Sequence, residues 1–129
     1  MKTLQTIIIS ILAIALCALP SIAAGPTAKK QVTTADDGTI VLQITVSPGA
    51  TTVYSVVIDD PSGSIEDIKA PKGWSAIASD DKALFLTADK PVKSGSTVKL
   101  KIITKDENAP LSLTFKDVKR RPIGEKKTI

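Results

Sequence analysis

From Ala70 to Ile103 the chain reads APKGWSAIASDDKALFLTADKPVKSGSTVKLKII: short apolar runs, each closed by a turn cluster. Within it Val98, Leu100 and Ile102 alternate with Thr97, Lys99 and Lys101. A period of two fixes alternate side chains to opposite faces of a strand. Turn residues at this spacing make a chain fold back on itself as antiparallel strands. The single tryptophan, Trp74, follows a Pro71-Lys72-Gly73 turn at the start of this stretch.

The same grammar extends in both directions. Ile40, Leu42, Ile44 and Val46 alternate with Val41, Gln43 and Thr45, and Ser47-Pro48-Gly49 closes the run. Thr51 to Ile58 forms the next expected strand, with Tyr54, Val56 and Ile58 on one face and Val53 and Val57 on the other. Ile65–Lys69, Trp74–Ala78 and Leu84–Leu86 follow, separated by turns at Asp59–Gly63, Pro71–Gly73 and Ser79–Lys82. Leu111, Leu113 and Phe115 then alternate with Ser112, Thr114 and Lys116 after a turn over Asp106–Pro110. A hairpin across that turn would put Lys99, Lys101 and Lys116 on one solvent face. No helical period of useful length appears beyond residue 23. Seven or eight short strands at this spacing predict an all-β chain folded as an antiparallel β-sandwich.

The N-terminus has a different character. Met1-Lys2 gives a positive start, Ile7–Leu19 is apolar except for Ser10, and Pro20 precedes Ser21-Ile22-Ala23. That is the layout of a secretory signal peptide cleaved after Ala23. A retained anchor is the rival, although the run is shorter than the roughly 20 residues a span needs. Residues 1–23 are therefore expected to be a signal peptide and 24–38 a flexible leader or edge strand. The sandwich occupies 39–118, and 119–129 is a basic tail or a final hairpin strand. The expected location is secreted, extracellular or in the cell envelope, with membrane contact only through an uncleaved N-terminus.

What the chain lacks limits its chemistry. It contains no histidine, and its one cysteine, Cys17, lies in the expected signal peptide. Imidazole acid–base catalysis and thiolate nucleophiles are thereby excluded from the secreted part. No disulfide can form within one chain. Ser79-Asp80-Asp81-Lys82 matches a Ser-x-x-Lys pattern, but the companion motifs of such acyl enzymes are missing and the segment reads as a turn. No cofactor is expected.

Paired acids Asp36-Asp37, Asp59-Asp60, Asp80-Asp81 and Asp106-Glu107 all fall in expected turns, where Asp side chains cap their own backbone. Asp59, Asp60, Asp80 and Asp81 are the calcium candidates, since hard cations take carboxylate oxygens. A carboxylate pair could also serve a small hydrolase. Trp74 is either a packing anchor between sheets or a ligand contact. Lys99, Lys101 and Lys116, with Lys105, Lys119, Arg120, Arg121, Lys126 and Lys127, suggest one basic stripe. It either protects strand edges or contacts an anionic surface polymer or other envelope component. Nucleic acid is not the expected partner, because few aromatic platforms accompany the cations.

The order of features carries a resemblance: a strand ending in Pro48-Gly49, a strand bearing Tyr54, the Pro71-Lys72-Gly73-Trp74 step, then Lys93-Ser94-Gly95-Ser96-Thr97-Val98 leading into Lys99-Leu100-Lys101-Ile102. Over residues 39–118 this resembles the immunoglobulin-like surface modules of bacteria and archaea, including the cell-adhesion-related (CARDB-like) group. The resemblance implies an immunoglobulin-like sandwich and carries no functional residues with it. Together these readings lead to a non-catalytic binding or adhesion module. A structural surface subunit that associates through strand addition is the alternative.

Overall fold

The computed structural model describes residues 25–129. The expected signal peptide, with Cys17, lies outside the described residues. Within them the chain forms nine strands and no helix. These are β1 (Thr27–Thr34), β2 (Ile40–Ser47), β3 (Ser55–Asp59), β4 (Ile65–Lys69), β5 (Ser75–Ala78), β6 (Lys82–Leu86), β7 (Val98–Thr104), β8 (Ser112–Lys116) and β9 (Pro122–Thr128). The count exceeds the expected seven or eight because both terminal segments are strands.

The strands build two antiparallel sheets, ordered β1-β2-β7-β4 and β5-β6-β3-β8-β9. Alternation explains their packing. In β2, Leu42, Ile44 and Val46 are buried, while Val41, Gln43 and Thr45 on the other face are only partly so. Leu100 and Ile102 of β7 join them, directly opposite Ile44 and Leu42. From the second sheet come Val56 and Ile58, Ala83 and Phe85, and Leu113 and Phe115. These inner faces meet in one core, which makes the fold a β-sandwich. Each large side chain buried there contributes about 1.5–3 kcal/mol.

Two expectations require correction. First, β7 and β8 do not form a hairpin, since they lie in different sheets. The Asp106–Pro110 link carries the chain from one sheet to the other. It is built for the crossing: Asp106 N donates to Thr104 Oγ1 (3.1 Å) and Asn108 N to Asp106 Oδ1 (2.9 Å). Ala109 and Leu111 are buried, and Leu111 exchanges two backbone hydrogen bonds with Ile129. Crossing lets the apolar faces of β7 and β8 both turn inward against opposite sheets.

Second, Tyr54 does not continue the core face of Val56 and Ile58. Ser55 and Val56 are consecutive and both buried, so the alternation slips by one residue. Val53 takes the inward place, bridged to buried Val92 by backbone bonds of 2.9 and 3.0 Å. A one-residue slip exchanges the faces of everything before it.

Candidate functional site

The outer face of the four-stranded sheet collects side chains from four distant parts of the chain. Register places Gln31 opposite Gln43, Gln43 opposite Lys101, and Lys101 opposite Lys69. The neighbouring row runs Lys29, Thr45, Lys99. Lys29, Lys69, Lys99 and Lys101 are all exposed. The ion pairs among the described residues use other side chains: Lys82 and Lys126 with Asp59, and Arg121 with Asp117. The four lysines thus carry charge with no carboxylate in ion-pair reach among the described residues. A shallow depression of about 200 Å³ is lined by Lys69, Ala70, Pro71, Lys99 and Lys101. A second, of about 210 Å³, lies between Val41, Lys69, Lys101 and Ile103. Opposed like charges such as Lys69 and Lys101 destabilise a sheet by a few tenths of a kcal/mol. An anion settled between them removes that repulsion.

Lys116 is not part of this face. It sits on β8 opposite Ser55 and Pro122, half-buried in the other sheet. The single stripe expected from the sequence is therefore split between two sheets, for the same reason that β7 and β8 are not a hairpin. Lys119, Arg120 and Arg121 belong to the β8–β9 turn, where Asp117 holds them. Its Oδ1 accepts from Lys119 N and Arg121 N (both 2.9 Å), and its Oδ2 lies 3.2 Å from Arg121 Nε. The backbone bond from Arg121 leads the effects that hold the Asp117 carboxyl below its ordinary value.

Trp74 stands at the rim of the core, half-buried and packed against it. Its indole Nε1 donates to Lys90 O (3.0 Å). The same turn is tied down by Thr87 Oγ1, which donates to Gly73 O and accepts from Lys90 N (both 2.9 Å). The indole is thus an anchor for the Thr87–Lys90 turn, with its polar end already satisfied and part of its ring in solvent.

The acidic candidates share one end of the sandwich. Asp60 N donates to Asp81 O (2.8 Å) and Ile65 N to Asp80 O (3.0 Å), so the two loops touch. Their carboxylates, however, are engaged separately. Asp59 is flanked by Lys82 (3.4 Å) and Lys126 (3.7 Å). Asp60 faces Ser62 and Ser64, and Asp81 Oδ1 accepts from Ser79 Oγ (2.9 Å). Among the described residues no three acidic side chains are grouped as a metal ion would require. Ser79 and Lys82 of the Ser-x-x-Lys pattern point their polar groups to different carboxylates, Asp81 and Asp59.

Lys29 and Lys69 belong to the basic face and are not singled out by the sequence reading. The signal for Lys29 lay in the weak alternation of Ala28 and Val32 with Lys29, Gln31 and Thr33; that for Lys69 lay in its place next to the apolar Ile68. Comparison with known proteins returns no match to the chain, whether to a family model, a curated protein or a solved structure.

Proposed function

We propose that this is a non-catalytic binding module, secreted or held in the cell envelope, that contacts an anionic surface polymer through the outer face of its four-stranded sheet. One observation carries this reading: Lys29 on β1, Lys99 and Lys101 on β7 and Lys69 on β4 stand on one face of the sheet, unpaired with any acid among the described residues. Gln31 and Gln43 lie in the same rows and add amide donors for hydrogen bonds to a polymer's oxygens. The envelope location rests on the signal-like pattern of residues 1–23.

The sheet order supports reading the sandwich as immunoglobulin-like. β1-β2-β7-β4 parallels the A-B-E-D sheet of constant-type domains, and β3-β8-β9 the C-F-G sheet. The β5–β6 hairpin is an addition at the free edge of β3, inserted in the chain between the strands that correspond to D and E.

The test is retention on immobilised polyglycerol phosphate at low salt. Wild type should be retained and should elute as salt rises, since screening weakens exposed charges. The double variant Lys99→Glu, Lys101→Glu should lose retention with its melting temperature nearly unchanged. Equal retention of the two proteins would refute the assignment of this face.

A further inference from the structure

A further groove lies on the side where β4 and β5 meet. These strands are consecutive, joined by residues 70–74, and each is the edge of its own sheet. They run in opposite directions and are joined at the base, where Ile65 N donates to Asp80 O (3.0 Å). Above that bond they diverge, because β4 stays paired with β7 and β5 with β6. Ile68 and Ala76 pack against the core, each from its own sheet. The result is a hairpin held open, with a cleft of about 650 Å³ between its arms.

Neither β4 nor β5 has a second ladder partner among the described residues, so both arms turn a strand edge to that cleft. On β4, Ile65 N donates to Asp80 O (3.0 Å) and Ile68 N is capped by Asp67 Oδ1 (2.9 Å), a local bond that an incoming strand would displace. Exposed rows of N–H and C=O are templates for another strand. The apolar lining is Ile65, Ile68, Ala70, Ala76 and Ala78, and the alanines leave room above them. Glu66, Asp67 and Asp80 line the same cleft, against the one cation Lys69. None of the three acids is in an ion pair among the described residues.

We propose that this cleft binds an extended basic peptide by strand addition, pairing its backbone with the edge of β4 or β5. About five residues fit the length of β4 at roughly 3.3 Å per residue. Main-chain bonds supply affinity and alternate side chains supply specificity. Small apolar side chains enter above Ala76 and Ala78, and Lys or Arg at the alternating positions meets Glu66, Asp67 and Asp80. The cleft borders the lysine face at Lys69 and Ala70, but its attraction for a basic peptide comes from Glu66, Asp67 and Asp80 and does not use Lys29, Lys99 or Lys101.

The probe is a synthetic peptide alternating lysine and valine, with two controls: one alternating glutamate and valine, and one with proline in place of valine. The proline peptide keeps the charge but removes every second N–H group and fixes φ at about −65° at those positions, away from the strand conformation. Only the lysine–valine peptide should bind the full-length protein, and amide exchange should slow at least tenfold within residues 65–69 or 75–78. Glu66→Lys with Asp67→Lys should weaken binding at least tenfold, and Ala78→Trp, which fills the cleft, should abolish it. Exchange measured without peptide checks that each variant is folded. Equal binding of the proline peptide would reduce the effect to charge attraction and overturn strand addition. Unchanged exchange of β4 and β5 would overturn the location. Protection there that grows with protein concentration, without peptide, would assign the cleft to a second copy and overturn the peptide proposal.

Discussion

Asp60 is the one charged residue among those described that the fold buries, with 1% of its surface exposed. Both carboxylate oxygens are fully used. Oδ1 accepts from Ser62 N (3.0 Å) and Ser62 Oγ (2.6 Å), and Oδ2 from Ser64 N (3.3 Å) and Ser64 Oγ (2.6 Å). Ser64 in turn accepts at its carbonyl from Lys105 N (2.9 Å) and Thr104 Oγ1 (3.2 Å), which ties the β3–β4 link to the end of β7. Burial alone would raise the Asp60 pKa, but the serine hydroxyls and amides outweigh it and hold the carboxyl below its ordinary 3.8. A charged acceptor makes the stronger hydrogen bonds. Asp60→Asn places an NH2 group among donors and should cost about 2–3 kcal/mol at neutral pH. The folded pKa lies below the unfolded one. The stabilisation is therefore full above 3.8 and is lost as pH falls through the lower folded value. Urea denaturation of both proteins should show the gap between wild type and Asp60→Asn narrowing below that pH. A gap that stays constant would mean the charge is not what these serines recognise.

The β8–β9 hairpin shows how an element can depend on one unfavourable backbone angle. Its turn is closed by Asp117 N donating to Arg121 O (3.0 Å) and Arg120 N to Asp117 O (2.9 Å). Arg120 has φ +64°, the only non-glycine residue with positive φ among those described. Hairpins of this loop length place a left-handed residue at that point, and glycine suits it. A side chain there costs roughly 1–2 kcal/mol. Arg120→Gly should therefore raise stability by about 0.5–1 kcal/mol after glycine's entropy loss, measured by chemical denaturation; a fall would show that the guanidinium contributes more than its backbone costs. β9 also illustrates what sequence can and cannot express. Individual strands such as β2 and β7 are legible because Leu42–Ile44–Val46 and Leu100–Ile102 keep a strict period of two. Partner choice is not legible at Asp106–Pro110, where the same turn residues serve a hairpin or a crossing between sheets. Lys99 and Lys101 are legible as an exposed pair for the same reason as their strand. Their neighbours Lys29 and Lys69 are not, because β2–β7 and β4–β7 pairing join segments more than thirty residues apart.

At the scale of the whole molecule, the chain changes sheet at β2–β3, β3–β4, β4–β5, β6–β7 and β7–β8. Neither sheet is therefore a continuous piece of sequence. β7 forms the centre of one sheet only when β2 and β4 are in place, and those strands are separated from it by strands of the other sheet. No disulfide links them, since Cys17 is the only cysteine. The sheets are held by the crossings and by the shared core, in which Leu100 of one sheet and Phe85 of the other are both fully buried. A fold wired this way has no part that can lose its packing alone, so unfolding should be a single cooperative transition. Leu100→Ala should cost about 2–5 kcal/mol and Phe85→Ala about 3–5 kcal/mol, the usual cost of large core truncations. Each substitution touches one sheet directly. Yet in both variants amide exchange should accelerate together in β2 and β7 and in β3, β6 and β8. The denaturant slope should stay near that of wild type, because the same surface is exposed on unfolding. Added reductant should leave the midpoint unmoved. Two separable transitions, or faster exchange confined to the mutated sheet, would show that each sheet stands on its own and that the crossings do not couple them.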